Sequence, residues 1–122
     1  MKTDNIIQQK SFGFAIRIVN VYKYLLYEKK EFVLSKQLLR SGTSIGANIE
    51  ESIGGQSDKD FLSKLSIAYK EARKTIYWLR LLQATDYLTN EEANSLLNDA
   101  EEICKILGKI QITLKNRHLK SP

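Results

Sequence analysis

Between Met1 and Ser121 the chain contains no proline; the only one, Pro122, is the last residue. Proline ends or kinks a helix because it lacks an N–H and its ring collides with the carbonyl one turn back. With only six glycines as well, long helices are permitted almost everywhere. A length of 122 residues suits one domain around one core, so residues 1–122 are read as a single unit.

Apolar residues recur at helical spacing along the whole chain. Ile7, Phe14, Ile18, Val21, Tyr22 and Leu25 form one face of a first helix, over about residues 5–28. Ser35 is the expected N-cap of a second, over about 36–53. Gly54-Gly55-Gln56-Ser57-Asp58 combines a glycine stop with capping residues for a third. That helix carries Phe61, Leu65, Ala68, Ala72, Ile76 and Leu79, over about 58–85. Thr89 and Glu92 form a capping box ahead of a fourth, over about 90–115, with Leu96, Ala100, Ile103, Leu107, Ile110 and Leu114 on one face. Residues 116–122 are expected to be a tail. Four amphipathic helices joined by short links predict an all-α fold, an antiparallel up-down-up-down four-helix bundle.

Helices 1 and 3 carry more apolar surface than one core stripe requires. Phe12, Ile16, Val19 and Leu26 form a second line on helix 1, and Ile67, Trp78 and Leu81 do so on helix 3. Two stripes on one helix point to burial on a second side, so these seven residues are the candidate oligomer interface.

The formal charge of +5 makes polyanions plausible partners. Lys70, Arg73, Tyr77 and Arg80 follow one another along one flank of helix 3, with Lys59 on the same side. Cations around an aromatic ring suit a phosphate backbone with a stacked base, so these five residues are the candidate nucleic-acid contacts. The bland alternative is a solvated helix face.

Catalytic patterns are weak. Gly42-Thr43-Ser44-Ile45-Gly46 matches G-x-S-x-G in letters, but that elbow works on a strand-to-helix turn with a histidine delivered to the serine. No strand pattern precedes it, and the sole histidine, His118, falls in the expected tail. Close helix packing at Gly42 and Gly46 is the better reading. Arg40, Asn48, Glu50 and Glu51 add polar groups with either interhelical or ligand-binding roles. A di-iron site needs Glu-x-x-His pairs, which one histidine cannot supply. Cys104 reads as a small buried hydrophobe, and a single cysteine forms no intrachain disulfide and suits a reducing compartment. Neither a P-loop around Gly54-Gly55 nor a signal or membrane-spanning segment is seen. The expectation is a cytoplasmic, non-enzymatic protein without cofactor, metal or membrane partner.

The run Gln37 to Glu51 (QLLRSGTSIGANIEE), the run Asp60 to Ala68 (DFLSKLSIA), Lys70-Glu71-Ala72 and Tyr77-Trp78-Leu79 together resemble a bacterial family. It comprises four-helix bundle proteins related to those encoded in intervening sequences of 23S ribosomal RNA genes. The similarity runs from about Lys10 to Leu114 and extends to the accessory bundle protein of diversity-generating retroelements. It implies a homopentameric ring, a role in RNA binding and no catalytic residue. At Lys74 the similar pattern has an acidic residue where this chain is basic. Two functions follow as expectations: an oligomeric RNA-binding or nucleic-acid-binding bundle, or a scaffold that recruits a protein partner.

Overall fold

The computed structural model describes residues 2–120, with side chains described over residues 6–117. It contains α1 (Lys2–Tyr27), α2 (Leu34–Ile53), α3 (Asp58–Ala84) and α4 (Asn90–Lys120). Each helix packs on the next in the chain, α4 returns to α1, and the backbones of the diagonal pairs, α1 with α3 and α2 with α4, stay apart across the core. This is the four-helix bundle that the periodicity predicts. Ile18, Leu25, Leu38, Ile45, Leu65, Leu79, Leu82 and Leu107 lie fully buried at its centre.

The α1–α4 seam is the least extensive of the four. It is bridged at its rim by Lys10 on Glu102 at 2.8 Å and by Arg17, which reaches Asp99 and the Ser95 hydroxyl. Such exposed pairs add little stability individually. Glu50 and Glu51 serve the neighbouring seams: Gln8 on α1 donates to Glu50 at 2.8 Å, and Lys64 on α3 pairs with Glu51 at 2.7 Å. Asn48 donates to the Ser44 carbonyl at 2.8 Å, whereas Arg40 remains exposed. Lys74 pairs with Glu71 one turn earlier at 3.0 Å.

Two caps match expectation. The Thr89 N–H donates to Glu92 at 3.0 Å while the Glu92 N–H donates to the Thr89 hydroxyl at 3.1 Å, closing the capping box. The Ser57 hydroxyl accepts from the Asp60 N–H at 3.1 Å. The start of α2 differs. Ser35 is not its cap: it lies inside the helix, buried, and donates its hydroxyl to the Glu31 carbonyl at 2.8 Å. The cap is the Glu31 carboxylate, which accepts from the N–H groups of Val33, Leu34 and Ser35 at 3.1, 2.9 and 2.6 Å. A glutamate reaching forward from the preceding turn offers two oxygens to several unpaired N–H groups, where serine offers one.

The helix ends also depart from expectation. Gly54 has φ −83, so α2 does not stop on a left-handed glycine. Gly55 is the sterically constrained position, because a Cβ there would stand 3.0 Å from the Ser52 carbonyl oxygen. The left-handed positions are Lys30 at φ 55 and Asp86 at φ 66, each in the connection that follows a helix. At the far end α4 continues to Lys120 in place of the expected tail, since residues 116–120 contain nothing that breaks a helix. His118 lies on this extension, and its side chain is outside the described residues.

Candidate nucleic-acid interface

The core of α3 consists of Leu65, Ala68, Ala72, Thr75, Leu79 and Leu82. At 100° per residue the opposite side presents Lys59, Lys70, Arg73, Tyr77 and Arg80, all exposed. The cationic stripe read from the sequence is therefore a solvent-facing stripe. The five do not form one site. Arg73, Tyr77 and Arg80 line a solvent-open groove of about 1140 Å³ between α3 and α4, whereas Lys59 and Lys70 stand on α3 beyond its lining.

The opposite wall comes from α4. Lys105, Lys109 and Ile112 recur at four- and three-residue spacing and line the groove together with Arg73, Tyr77 and Arg80, and the half-buried Tyr69, Ile76, Cys104, Ile106 and Gly108 complete its lining. In the sequence these lysines have a local explanation, since cations in the second half of a helix suit its dipole. Their i, i+4 spacing was the available signal, but a single helix cannot reveal which neighbour it will lie beside. Among the described residues, Arg73, Arg80, Lys105 and Lys109 have no salt-bridge partner. The groove also holds Glu101 and Glu102, and Glu102 is bridged to Lys10.

Tyr77 is 57 % exposed, yet its ring is held edge-on against Trp78, with centroids 5.1 Å apart and planes at 75°. It is thus an aromatic surface supported on one side and open to solvent. A smaller depression lined by Tyr77, Arg80, Leu81, Gln83, Ala84 and Asn90 adjoins the groove. There the Gln83 amide donates to both Asn90 and Asn94 at 3.2 Å.

Burial pushes the Cys104 thiol up, against the partial opposition of Arg73. The thiolate needed for nucleophilic chemistry is correspondingly scarce. Cys104 is half-buried and packs against the core, so it is less enclosed than expected. Ser44 sits in the middle of α2, two residues after a buried Gly42. A continuous helix cannot expose a serine as a strand-to-helix elbow does. Among the described residues no group of three or more His, Cys, Asp or Glu side chains is arranged to hold a metal ion, and no helix is long and apolar enough to cross a membrane.

The second apolar stripes divide unevenly. Phe12, Ile16 and Ile67 are 67 %, 50 % and 40 % exposed. Val19, Leu26 and Leu81 are half-buried, and so is Trp78, which packs against the core instead of standing away from it. Because α1 and α3 are diagonal, Phe12 and Ile16 lie on a helix that is not adjacent to the one carrying Ile67.

Four antiparallel helices with an open, tyrosine-bearing groove along one seam define a small all-α bundle protein. The chain belongs to the 23S rRNA-intervening sequence protein family, whose model matches residues 3–109. It is similar to a protein of unknown function of the S23 ribosomal protein family from Bacteroides thetaiotaomicron VPI-5482, solved by crystallography at 1.70 Å. The two are 57 % identical, with 89 % of this chain and 97 % of that one covered and a TM-score of 0.88. Among curated proteins none matches the chain.

Proposed function

We propose that this chain is a cytoplasmic, non-enzymatic RNA-binding bundle whose contact surface is the α3–α4 groove and the exposed stripe of α3. The carrying observation is the juxtaposition of Arg73 and Arg80 with Lys105 and Lys109 around an exposed tyrosine. Cations that are not engaged in salt bridges attract phosphates, and displacement of condensed counterions then drives association. Ile76, Ile106 and Ile112 add apolar surface to the lining, of the kind that accepts a nucleobase face. Binding should weaken steeply with salt: four phosphate contacts give a log–log slope of about −3 on single-stranded RNA. The double charge reversal Arg73→Glu/Arg80→Glu should abolish binding at low salt while leaving the far-UV spectrum unchanged. Wild-type protein that retains no RNA at low salt would reject the reading.

A homo-oligomer, a pentamer in the form the family resemblance implies, is the second part of the proposal. Exposed Phe12 and Ile16 favour it, since apolar side chains on the outside of α1 gain from burial against another copy. Sedimentation of wild type and Phe12→Glu/Ile16→Glu tests it: the variant should lose mass, and a monomeric wild type would refute assembly. The rival role is a scaffold that recruits a protein partner. Stoichiometric, nuclease-resistant capture of one polypeptide would favour it.

A further inference from the structure

We infer that the α3–α4 groove takes a single strand of RNA with its bases unpaired, and that Tyr77 is its stacking platform. This rests on the RNA-binding reading and specifies the ligand. The two depressions share Tyr77 and Arg80, so together they form one track along α3 from Tyr69 to Ala84. At 1.5 Å per residue that track is about 22 Å long, enough for roughly four extended nucleotides, the lower end of known single-strand site sizes.

Three features separate a single strand from a duplex. Helices packed about 8–10 Å axis to axis leave only a surface cleft along their seam, which a single strand can follow and a duplex can only rest upon. In a duplex the base faces are covered by neighbouring bases, so Tyr77 could stack only on an unpaired one. Its edge-on packing against Trp78, with centroids 5.1 Å apart, restricts the ring on that side, which lowers the ordering cost of binding. Finally, the cations occupy both walls, Arg73 and Arg80 on α3 and Lys105 and Lys109 on α4. They can grip a strand lying between them, whereas a duplex resting on the surface would meet the outer stripe first. Glu101 and Glu102 oppose this charge, but four cations outnumber them and Glu102 is already bridged by Lys10 at 2.8 Å.

Gly108 supplies a clean test. It lines the groove without a side chain, and a Cβ there would meet only Tyr69 Cε2, at 4.0 Å. Gly108→Leu therefore fills the track while removing no charge and favouring the helix. Affinity is measured by fluorescence anisotropy at low salt, with a labelled twelve-nucleotide oligouridylate and a blunt twelve-base-pair RNA duplex. The oligouridylate should bind at least about tenfold more tightly, and Gly108→Leu and Tyr77→Ala should each weaken it about tenfold with duplex binding unchanged. Tyr77→Phe should restore affinity. Equal affinity for the two RNAs, or a single-strand affinity indifferent to both substitutions, overturns the groove assignment but leaves RNA binding standing. Binding of neither RNA overturns both. Circular dichroism identifies a misfolded variant, and Tyr77, an exposed residue, then decides the question without Gly108.

Discussion

Gly42 of α2 lies directly against Ile18 of α1: a Cβ added to Gly42 would stand 2.8 Å from both Ile18 Cγ1 and Ile18 Cγ2. Those atoms belong to a fully buried, β-branched side chain, which has little rotameric freedom to move aside. Gly46, one turn later, is different. Its added Cβ would come no nearer than 3.5 Å to Ser11, an ordinary van der Waals approach. Close packing explains the first glycine and not the second.

Opposite effects of one substitution follow. Gly42→Ala should destabilise the fold by about 1–2 kcal/mol, because overpacking exceeds the helical gain. Gly46→Ala should stabilise it by about 0.5–1 kcal/mol through helix propensity alone. Urea denaturation of both variants measures this, and equal shifts of the same sign would contradict the packing argument.

Glu31 should impose an acid limit on α2. Burial pushes its carboxyl up, but hydrogen bonds from the backbone N–H groups of Leu34, Ser35 and Val33 outweigh that and hold it below its ordinary value of 4.5. The folded state therefore keeps this group ionised at a pH where the unfolded chain has begun to protonate it. Its contribution is complete above the unfolded value and is lost as pH falls through the lower folded one. Glu31→Gln should lower stability at neutral pH by about 1–2 kcal/mol and flatten the loss of stability below pH about 4.5. Thermal melts across that range report both, and an unchanged acid limb in the variant would remove Glu31 as its source.

The Ser41 and Thr75 hydroxyls form a buried hydrogen bond at 3.0 Å between α2 and α3. Thr75→Val should cost about 1–2 kcal/mol by leaving Ser41 short of a partner. Adding Ser41→Ala should then cost less than it does alone, because the Ser41 hydroxyl has by then lost Thr75 and keeps only its bond to the Leu38 carbonyl at 3.4 Å. A double-mutant cycle in denaturant checks the pair, and strict additivity would mean that the hydroxyls act independently.

Cys104 should alkylate slowly in the native protein. Its thiol is pushed up by burial, and reagents act on the thiolate. Labelling at mildly alkaline pH should be far slower than that of a free thiol and should accelerate on unfolding in urea. Rapid native labelling would return Cys104 to consideration as a nucleophile.

The order of helices and most core positions were legible in the sequence because burial on one face leaves a periodic trace within each segment. Ile18, Leu65 and Leu107 belong to that trace, and Thr89 with Glu92 mark a cap through contacts only three residues apart. Ser35 misled because serine before an apolar run is the commoner cap, while the observed carboxylate comes from Glu31 one turn upstream. The α3 half of the groove was legible as Arg73, Tyr77 and Arg80. Its other half was not, because Lys105 and Lys109 are some thirty residues away and nothing within α4 shows which neighbouring helix they will lie beside.

By itself, then, the sequence determined that this protein is a bundle of four long helices, since hydrophobic period, caps and the lack of an internal proline all act over one or two turns. Only the tertiary structure decided that Gly42 and not Gly46 receives a neighbour closely, that Trp78 belongs to the core's edge, and that two basic helix faces meet across one groove. Those facts depend on the rotation of each helix against its neighbours, which is set by side chains interlocking across the bundle and leaves no periodic record in any one segment.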